Sequence, residues 1–217
     1  MEFPDFAITD IGRLRAEYVG DPLTDEQGDP IELFDRWLAD AVAAGVPEPN
    51  AMALATATPD GQPSVRIVLL KEFDARGAVF FTGYQSRKGQ ELAANPRAAV
   101  TMLWHPIRRQ VRIEGRVEQV DAAESDAYFA SRPRGSQISA AASPQSQVVA
   151  SREALLALRD DVEARSAGAD VERPATWGGY RIALEVIEFW QGSADRFHDR
   201  LRFTATPSGW TLDRLAP

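Results

Sequence analysis

The sequence predicts a mainly β protein, a closed or nearly closed β-barrel with flanking helices. Segments of strand character are in excess after residue 50, and turn residues such as PDGQ and DARG separate them. Helical segments are inserted between these strands without regular alternation, which disfavours a doubly wound parallel sheet. The sequence also contains neither a GxGxxG nor a GxxxxGKS/T phosphate loop, so a nucleotide-binding α/β fold is not indicated.

The elements follow in order along the chain. Residues 1–29 are expected to form a partly mobile or partner-dependent arm, and a helix is expected over residues 30–46, with Asp29 as N-cap and Pro30 in the first turn. Strands are predicted over residues 51–57, 63–73, 78–83, 97–104, 109–120 and 180–190, followed by a hairpin over 199–217. Further helices are predicted over residues 86–96, 121–133 and 151–168, capped by Ser86, Asp121 and Ser151.

Composition limits the classes of function. The chain has 217 residues, no cysteine and a formal net charge of −8. The length suits one domain, and the absence of cysteine excludes disulfides and thiolate metal sites; no metal site is predicted. The acidic balance argues against general nucleic-acid binding, and no apolar run predicts a membrane span. Without a signal-peptide pattern at the N-terminus, a cytoplasmic location is the expectation.

The stretch RFHDRLRF carries basic residues at alternate positions: Arg196, His198, Arg200 and Arg202. On a strand these side chains would share one face, while Phe197, Leu201 and Phe203 would face the core. Like charges at neighbouring positions repel, so the pattern predicts a compensating group. Two explanations stay open on this pattern alone: a ligand-binding face, or a solvated basic edge strand that protects against aggregation.

Two further patterns indicate anion binding. Ser86 is a natural N-cap, and Arg87 and Lys88 follow it in the first helical turn, where free N–H groups and positive charge suit a phosphate. The alternative is a solvated basic turn. Arg66 and Lys71 interrupt an otherwise apolar strand; a shared pocket requires a bulge or a strand end between them, and otherwise Lys71 marks the solvated end of the strand.

A third pattern lies in YFASRPRGSQ, where Tyr128, Arg132, Arg134 and Ser136 are hydrogen-bond donors on a helix end and a following loop. Pro133 disfavours helix at Arg132 and so favours a loop that wraps a ligand, although an ordinary polar loop is the alternative. Two clusters of phosphate-type donors predict two phosphorylated ligands, or one ligand with two anionic ends. Trp190 could offer a flat surface to a ring.

Several strings together resemble the pyridoxamine 5′-phosphate oxidase family: RIVLLK, FFTGYQSRKGQEL, RRQVRIEGRVE, YFASRPRGSQISAAASPQS, WGGYRI, IEFWQG, RFHDRLRF and LDRLAP. They occur in the family's order over residues 30–217, and RLRAEY in the arm matches weakly. The resemblance implies an FMN-binding split β-barrel, one domain over residues 30–217 with a C-terminal dimerisation and active-site hairpin. It also implies a homodimer that binds FMN at the subunit interface.

The activity that the resemblance implies is oxidation of pyridoxamine 5′-phosphate or pyridoxine 5′-phosphate to pyridoxal 5′-phosphate. Molecular oxygen is the acceptor and hydrogen peroxide the by-product. Two rival functions remain: another flavin or deazaflavin reductase on the same barrel, and a non-enzymatic carrier or sensor of pyridoxal phosphate. The pair of motifs RPRGSQ and RFHDR argues against the reductase, and the full set of flavin contacts argues against the carrier.

The resemblance assigns residues by position. It implies FMN contacts from Arg66, Ile67, Val68, Leu69, Leu70, Lys71, Phe81, Thr82, Arg87, Lys88, Gln110, Gln145, Ser146, Trp190 and Arg200. It implies substrate contacts from Lys71, Tyr128, Arg132, Ser136, Arg196, Phe197, His198, Arg15 and Tyr18, with Arg196 and His198 as the catalytic pair. Phe81 stands where many members carry tyrosine, and Glu48 replaces a commoner aspartate.

Overall fold

The computed structural model describes residues 18, 22–25 and 28–217. Arg15, predicted to contact the substrate, lies outside these residues, as does most of the predicted arm. The strands are β1 (Ala51–Ala57), β2 (Pro63–Leu69), β3 (Glu72–Asp74), β4 (Gly77–Gly83), β5 (Arg97–Trp104), β6 (Arg109–Gln119), β7 (Trp177–Ile182), β8 (Val186–Gln191), β9 (Asp199–Thr206) and β10 (Gly209–Arg214). The helices are α1 (Pro30–Ala43), α2 (Arg87–Ala94), α3 (Ala122–Ser131), α4 (Arg134–Ala142) and α5 (Arg152–Arg165).

The strands form one curled antiparallel sheet. Hydrogen bonds join seven of them in the order β10, β9, β8, β6, β5, β1 and β2, while β7 joins β4 to the end of β6, and β3 pairs with β4. The long strand β6 therefore belongs to both halves of the sheet: residues 109–114 pair with β8, and residues 117–119 pair with β7. A sheet that curls in this way with helices around it is a split barrel, and the predicted fold class is confirmed.

The predicted helix caps form as expected. The side chains of Asp29, Ser86, Asp121 and Ser151 each accept a hydrogen bond from a backbone N–H in the first turn of the following helix. Such a cap stabilises a helix by about 1 kcal/mol because it satisfies an N–H group that has no partner within the helix. The caps of α2 and α3 matter for function, since both helices carry predicted site residues.

Two apolar clusters hold the elements together. In the larger one, α1 packs on the sheet through Phe34, whose ring centroid lies 3.9 Å from that of Phe73, and Trp37, 5.1 Å from Phe189. Trp104 is 1% exposed and donates from its indole nitrogen to a backbone carbonyl. The smaller cluster lies among α3, α4 and α5 and includes Trp177.

Four local predictions were wrong. The segment 63–73 is two strands, because β2 pairs with β1 while β3 pairs with β4. The segment 180–190 is two strands, because β7 pairs with β4 while β8 pairs with β6 and β9. The segment after Pro133 is the helix α4 instead of a loop, since Pro133 serves as its N-cap and Arg132 is extended, as expected before proline. Finally, β9 begins only at Asp199, so Arg196 and His198 precede the strand and Phe197 is 79% exposed instead of core.

Among the described residues, no helix combines the length and apolar character needed to cross a membrane.

Gly115 lies in β6 where the strand passes from one half of the sheet to the other. A Cβ built there would overlap the carbonyl oxygen of Ala183, in the connection between β7 and β8. Replacement of Gly115 by alanine should therefore lower the free energy of unfolding by about 1–3 kcal/mol, as measured by chemical denaturation. The control is Gly135→Ala in α4, where a Cβ meets nothing within 4 Å and alanine should leave stability unchanged or raise it. Equal stability of the two variants would contradict this account of the β6 crossing.

Candidate functional site

The ammonium group of Lys88 lies among polar side chains at the start of α2. The Nζ atom of Lys88 lies 3.1 Å from the hydroxyl oxygen of Thr82 in β4 and 3.2 Å from the Oε1 atom of Gln145. Gln145 also accepts from the Thr82 hydroxyl at 2.8 Å, which fixes the amide next to the lysine. The prediction that Lys88, Thr82 and Gln145 belong to one site agrees with this arrangement, while Ser146 follows in left-handed backbone conformation at φ 70°.

Lys88 is buried without a carboxylate of its own. Its side chain is 7% exposed, and no ion pair within 4.0 Å involves it among the described residues. Burial is the main cause that lowers the pKa of Lys88 to about 8; the positive charge of Arg66 acts in the same direction, and the carboxylate of Glu91 opposes both. An ammonium group that is costly to ionise in the free protein gains most from an incoming anion.

Glu91 completes this region and was not predicted. Its carboxylate, 5% exposed, accepts from the hydroxyl of Ser64 at 2.5 Å and from that of Thr56, and forms ion pairs with Arg66 at 3.3 Å and Arg87 at 2.8 Å. Burial opposes ionisation of this carboxyl, but the two hydroxyls and two guanidinium groups outweigh it and lower its pKa to about 2. Glu91 lies four residues after Arg87 in a helix, and this spacing was a usable signal in the sequence.

The charges of this region suit a phosphate group. Arg66, Arg87 and Lys88 contribute three positive charges, and Glu91 contributes one negative charge, which leaves a net charge of +2. A phosphate monoester carries about −1.5 to −2 at neutral pH. The N-terminus of α2, whose helical N–H groups need acceptors, adds a favourable dipole for the same anion.

A stack of three aromatic rings lies beside this region. Phe81 in β4 stacks on Tyr128 of α3 with 3.9 Å between ring centroids, and Trp177 of β7 lies 5.6 Å from Phe81 at an angle of 17°. Phe81 thus contributes ring contact and carries no hydroxyl. Gly83 and Thr82 follow Phe81 directly, so β4 links the aromatic stack to the Lys88 group.

Two cations flank the aromatic stack. The Nζ atom of Lys71 lies 5.8 Å from the Tyr128 ring centroid. Lys71 itself lies just beyond the last residue of β2, at a strand end, as was considered from the sequence. The guanidinium of Arg132 lies 4.7 Å from the Trp177 ring centroid, and its Nη1 atom is buried without a hydrogen-bond partner among the described residues. Burial lowers the pKa of Arg132. An unpaired buried donor of this kind indicates a missing acceptor, such as a phosphate oxygen.

The other predicted members of this group are placed differently. Ser136 lies in the first turn of α4, and its backbone N–H donates to the carbonyl of Pro133. Arg134 does not face the stack: its guanidinium donates to the carbonyls of Ser166 and Ala169 beyond the end of α5. The sequence interpretation of Arg134 as a ligand donor is therefore replaced by a structural role.

A tight loop presents Arg196 and His198. Asp195 and Arg196 both have positive φ angles, 53° and 60°, in a 3-10 turn that reverses the chain before β9. Left-handed conformation is unusual outside glycine and is often found at functional sites. The Arg196 side chain is exposed and makes no hydrogen bond or ion pair with any other described residue.

The loop also fixes the tautomer of His198. The backbone N–H of Ser193 lies 3.1 Å from the Nδ1 atom of His198. A backbone N–H can only donate, so Nδ1 accepts and the proton of the neutral ring is on Nε2. The ring packs against Trp190, with 4.7 Å between centroids, and Tyr18 lies 5.6 Å away. Of the two predicted arm residues, Tyr18 thus joins the His198 group.

Gln110, Trp190 and Arg200 share one face of the sheet. Gln110 on β6 is directly opposite Trp190 on β8, which is directly opposite Arg200 on β9. Arg200 is already neutralised: it binds the carboxylate of Glu188 through two nitrogens at 2.9 and 3.1 Å. The predicted compensation of this basic face therefore comes from within the chain, from Glu188 for Arg200 and from Asp213 for Arg202.

The predicted contact residues in and after β2 differ in exposure. Val68 and Leu70 pack on the core, which leaves only their main chain available to a ligand. Ile67 is 66% exposed on the opposite face, whereas Leu69 is half-buried. The outer face of β2 is therefore partly uncovered within one chain.

The predicted site residues thus form two groups. One contains the Lys88 region and the aromatic stack with Lys71 and Arg132; the other contains Tyr18, Gln110, Trp190, His198 and Arg200. Within the described part of the chain, no hydrogen bond, ion pair or ring contact joins the two groups. Glu91, Glu188, Thr56 and Ser64 were missed because acidic and hydroxyl residues gave no anion-binding signal of their own.

The chain is similar to known proteins over most of its length. A family model described as "Pyridoxamine 5'-phosphate oxidase" matches residues 38–164, and one described as "Pyridoxine 5'-phosphate oxidase C-terminal dimerisation region" matches residues 177–217. Pyridoxine/pyridoxamine 5'-phosphate oxidases from Thermosynechococcus vestitus and Burkholderia multivorans are 55% and 53% identical, and each comparison covers 97% of this chain and 100% of the relative.

Two solved structures are also similar. PhzG from Burkholderia lata 383, in complex with tetrahydrophenazine-1-carboxylic acid, is 36% identical with a TM-score of 0.85, over 92% of this chain and 99% of PhzG. A pyridoxamine 5'-phosphate oxidase-related, FMN-binding protein from Nostoc punctiforme has a TM-score of 0.68 over 85% of this chain and 97% of that protein. At 15% identity, this second similarity shows the shared fold alone.

The lowered pKa of Lys88 predicts how flavin binding depends on pH. The ammonium form predominates below about pH 8, is half populated near that pH and is lost above it, whereas the FMN phosphate is already a dianion there, since its second pKa is about 6. Affinity for FMN, measured by flavin fluorescence, should therefore begin to decrease as the pH approaches 8 and decrease further at higher pH. In Lys88→Arg the guanidinium stays charged, so the decrease should disappear. The same pH dependence in both proteins would show that Lys88 does not meet the phosphate.

Proposed function

Because the chain belongs to the pyridoxamine 5′-phosphate oxidase family, we propose that it oxidises pyridoxamine 5′-phosphate or pyridoxine 5′-phosphate to pyridoxal 5′-phosphate with FMN as cofactor. The alcohol substrate and O₂ give pyridoxal 5′-phosphate and H₂O₂; the amine substrate also consumes water and releases ammonia. The identity to curated oxidases is 53–55%, compared with 36% to PhzG, which favours the phosphorylated pyridine as substrate.

One observation supports this proposal: two clusters of cationic side chains lie next to each other along β4. Thr82 contacts the Lys88 group, and its neighbour Phe81 contacts the stack that Lys71 and Arg132 flank. A flavin mononucleotide and a pyridine phosphate each need one anion site and one apolar surface. A carrier of pyridoxal phosphate alone needs only one such site.

The residues present fit FMN. The net charge of +2 around Lys88 matches its phosphate, and the side chains of Thr82 and Gln145 lie beside the Lys88 ammonium. When bound, FMN would supply the redox chemistry, which is uptake of a hydride from the substrate carbon and transfer of the two electrons to O₂. The chain itself places the reactants and holds their charges.

For the substrate phosphate, we assign Lys71, Tyr128, Arg132 and Ser136. The unpaired Nη1 atom of Arg132 and the ammonium of Lys71 offer charge, and the Tyr128 hydroxyl offers a neutral donor. Phosphate bound there fixes one end of the pyridine, so that the other end can be oriented by separate groups. The free energy of binding the phosphate, which does not react, is thus used to position the reacting carbon.

Arg196 and His198 orient the pyridine. Arg196 has no partner among the described residues, and its charged side chain extends from a turn with left-handed backbone conformation. His198, with Nδ1 occupied by the Ser193 N–H, offers Nε2–H as a hydrogen-bond donor. In this tautomer His198 does not accept a proton, so it holds an oxygen of the substrate instead of deprotonating it. Tyr18 and Arg15 of the arm remain proposed substrate contacts.

We further propose that two copies of the chain complete the site as a homodimer, with residues 30–217 of each as one domain. The family model matched at residues 177–217 is a dimerisation region. Three apolar side chains on the outer face of the sheet, Val65, Ile67 and Leu103, are 68%, 66% and 59% exposed in one chain. Contact between two such faces would bury them and could bring the Trp190 group of one copy to the Lys88 group of its partner.

The function is tested by adding each substrate to FMN-loaded protein under air and measuring peroxide. We expect a yellow protein that releases peroxide with pyridoxamine or pyridoxine 5′-phosphate, but little with the dephosphorylated forms. Arg196→Ala is the matched control: it should retain FMN and lose most turnover, because its side chain makes no other contact that the structure describes. A colourless protein would overturn the proposal, and so would equal peroxide formation with the phosphorylated and dephosphorylated substrates.

The donor role of His198 is tested by two amide substitutions. In His198→Gln the side-chain nitrogen reaches the position of Nε2, whereas in His198→Asn the amide reaches only the position of Nδ1. The glutamine variant should therefore keep a kcat/KM about tenfold above that of the asparagine variant, the effect of one hydrogen bond to a reacting molecule. Equal loss in both variants, together with loss of an activity limb in the pH profile, would show that His198 acts as a base.

A further inference from the structure

Glu188 is a buried carboxylate that none of the predicted contacts uses. It lies in β8, two residues before Trp190, and is 5% exposed. Its oxygens accept from Nε and Nη2 of Arg200 at 2.9 and 3.1 Å and from Nη1 of Arg112 at 3.2 Å. A carboxylate in the middle of a sheet face is stable only because these two guanidinium groups neutralise it.

The register shows that this pairing is selective. The residue directly opposite Glu188 on β9 is Arg202, but Glu188 binds Arg200, which lies diagonally. Arg202 binds Asp213, directly opposite it on β10. The two arginines are therefore held by different carboxylates, and removal of either acid should release only one of them.

Among the described residues, two of the N–H groups of Arg200 have no acceptor and remain available to a ligand. A guanidinium has five N–H groups, and two of those of Arg200 meet Glu188 while a third donates to the carbonyl of Ala216 at 3.0 Å. The remaining two, one on each terminal nitrogen, point away from the carboxylate. The hydrogen bond with Glu188 also raises the pKa of Arg200, so the group stays charged.

We propose that Glu188 is a positioning residue that fixes both the direction and the effective charge of Arg200 toward the flavin. This inference rests on the proposed function, since it takes Arg200 as a flavin contact. A bare guanidinium would stabilise the negative charge of a reduced flavin strongly, whereas a guanidinium paired with Glu188 is a directed donor with little net charge. Glu188 thus keeps the reduction potential of bound FMN lower than an unpaired Arg200 would set it.

The test uses the full-length protein loaded with FMN and three isosteric variants. Glu188→Gln keeps the shape and removes the charge. Asp213→Asn removes the same charge from the neighbouring arginine of β9, and Glu114→Gln removes it from Arg112, which Glu114 binds at 2.5 Å without touching Arg200. Two quantities are measured: the FMN dissociation constant by flavin fluorescence, and the midpoint potential by spectroelectrochemical titration.

We expect Glu188→Gln to raise the FMN dissociation constant about tenfold and to shift the midpoint potential to more positive values, with both controls close to wild type. If Glu188→Gln does not fold, Glu188→Asp serves instead: it keeps the charge but shortens the reach, so affinity should fall with a smaller change in potential. Equal potentials in Glu188→Gln and Asp213→Asn would overturn this inference while the oxidase function stands. A wild-type protein that does not bind FMN would overturn both.

Discussion

The burial of Lys88 beside Arg66 is the interaction on which the rest of the site depends. Two like charges in a partly desolvated place are unfavourable, and the fold tolerates them because Glu91 forms ion pairs with Arg66 and Arg87 and offsets part of the positive charge. A bound phosphate would offset the charge that remains. Two strands, the N-terminus of α2 and the loop at Gln145 converge around Lys88. The charge pattern of the site therefore depends on how this half of the barrel is built.

The division of the sheet explains why the functional residues form two groups. β6 carries Gln110 in its first part, on the face of Trp190 and Arg200, and its last part pairs with β7, which carries Trp177. A single strand thus spans both groups, yet the described residues of one chain do not bring them into contact. A family whose C-terminal region is a dimerisation region offers a simple physical solution, because a second copy can supply the missing neighbour.

Local patterns predicted much of the fold and part of the site. Caps at Asp29 and Ser86 and the excess of strands were readable because each depends on a few adjacent residues. The anion-binding pattern of Ser86, Arg87 and Lys88 was readable for the same reason, whereas Thr82 and Gln145 were assigned only through the resemblance to the family. The start of β9 was predicted wrongly, because Arg196 and His198 alternate with Phe197 as residues of a strand do. In the structure, left-handed φ angles at Asp195 and Arg196 reverse the chain before the strand begins. Glu188 was missed because its diagonal partner is set by strand register, which only the folded sheet defines.

The carbonyl of Ala216 that accepts from Arg200 has a practical consequence for how the protein is handled. The backbone N–H of Leu215 also donates to the carbonyl of Arg200. The segment after β10 is therefore held by two hydrogen bonds, one from the side chain of Arg200 and one to its main chain. A peptide fused after residue 217 would emerge one residue beyond that contact. Purification tags and fluorescent fusions attached there would therefore crowd the face of the sheet that carries Arg200 and Trp190.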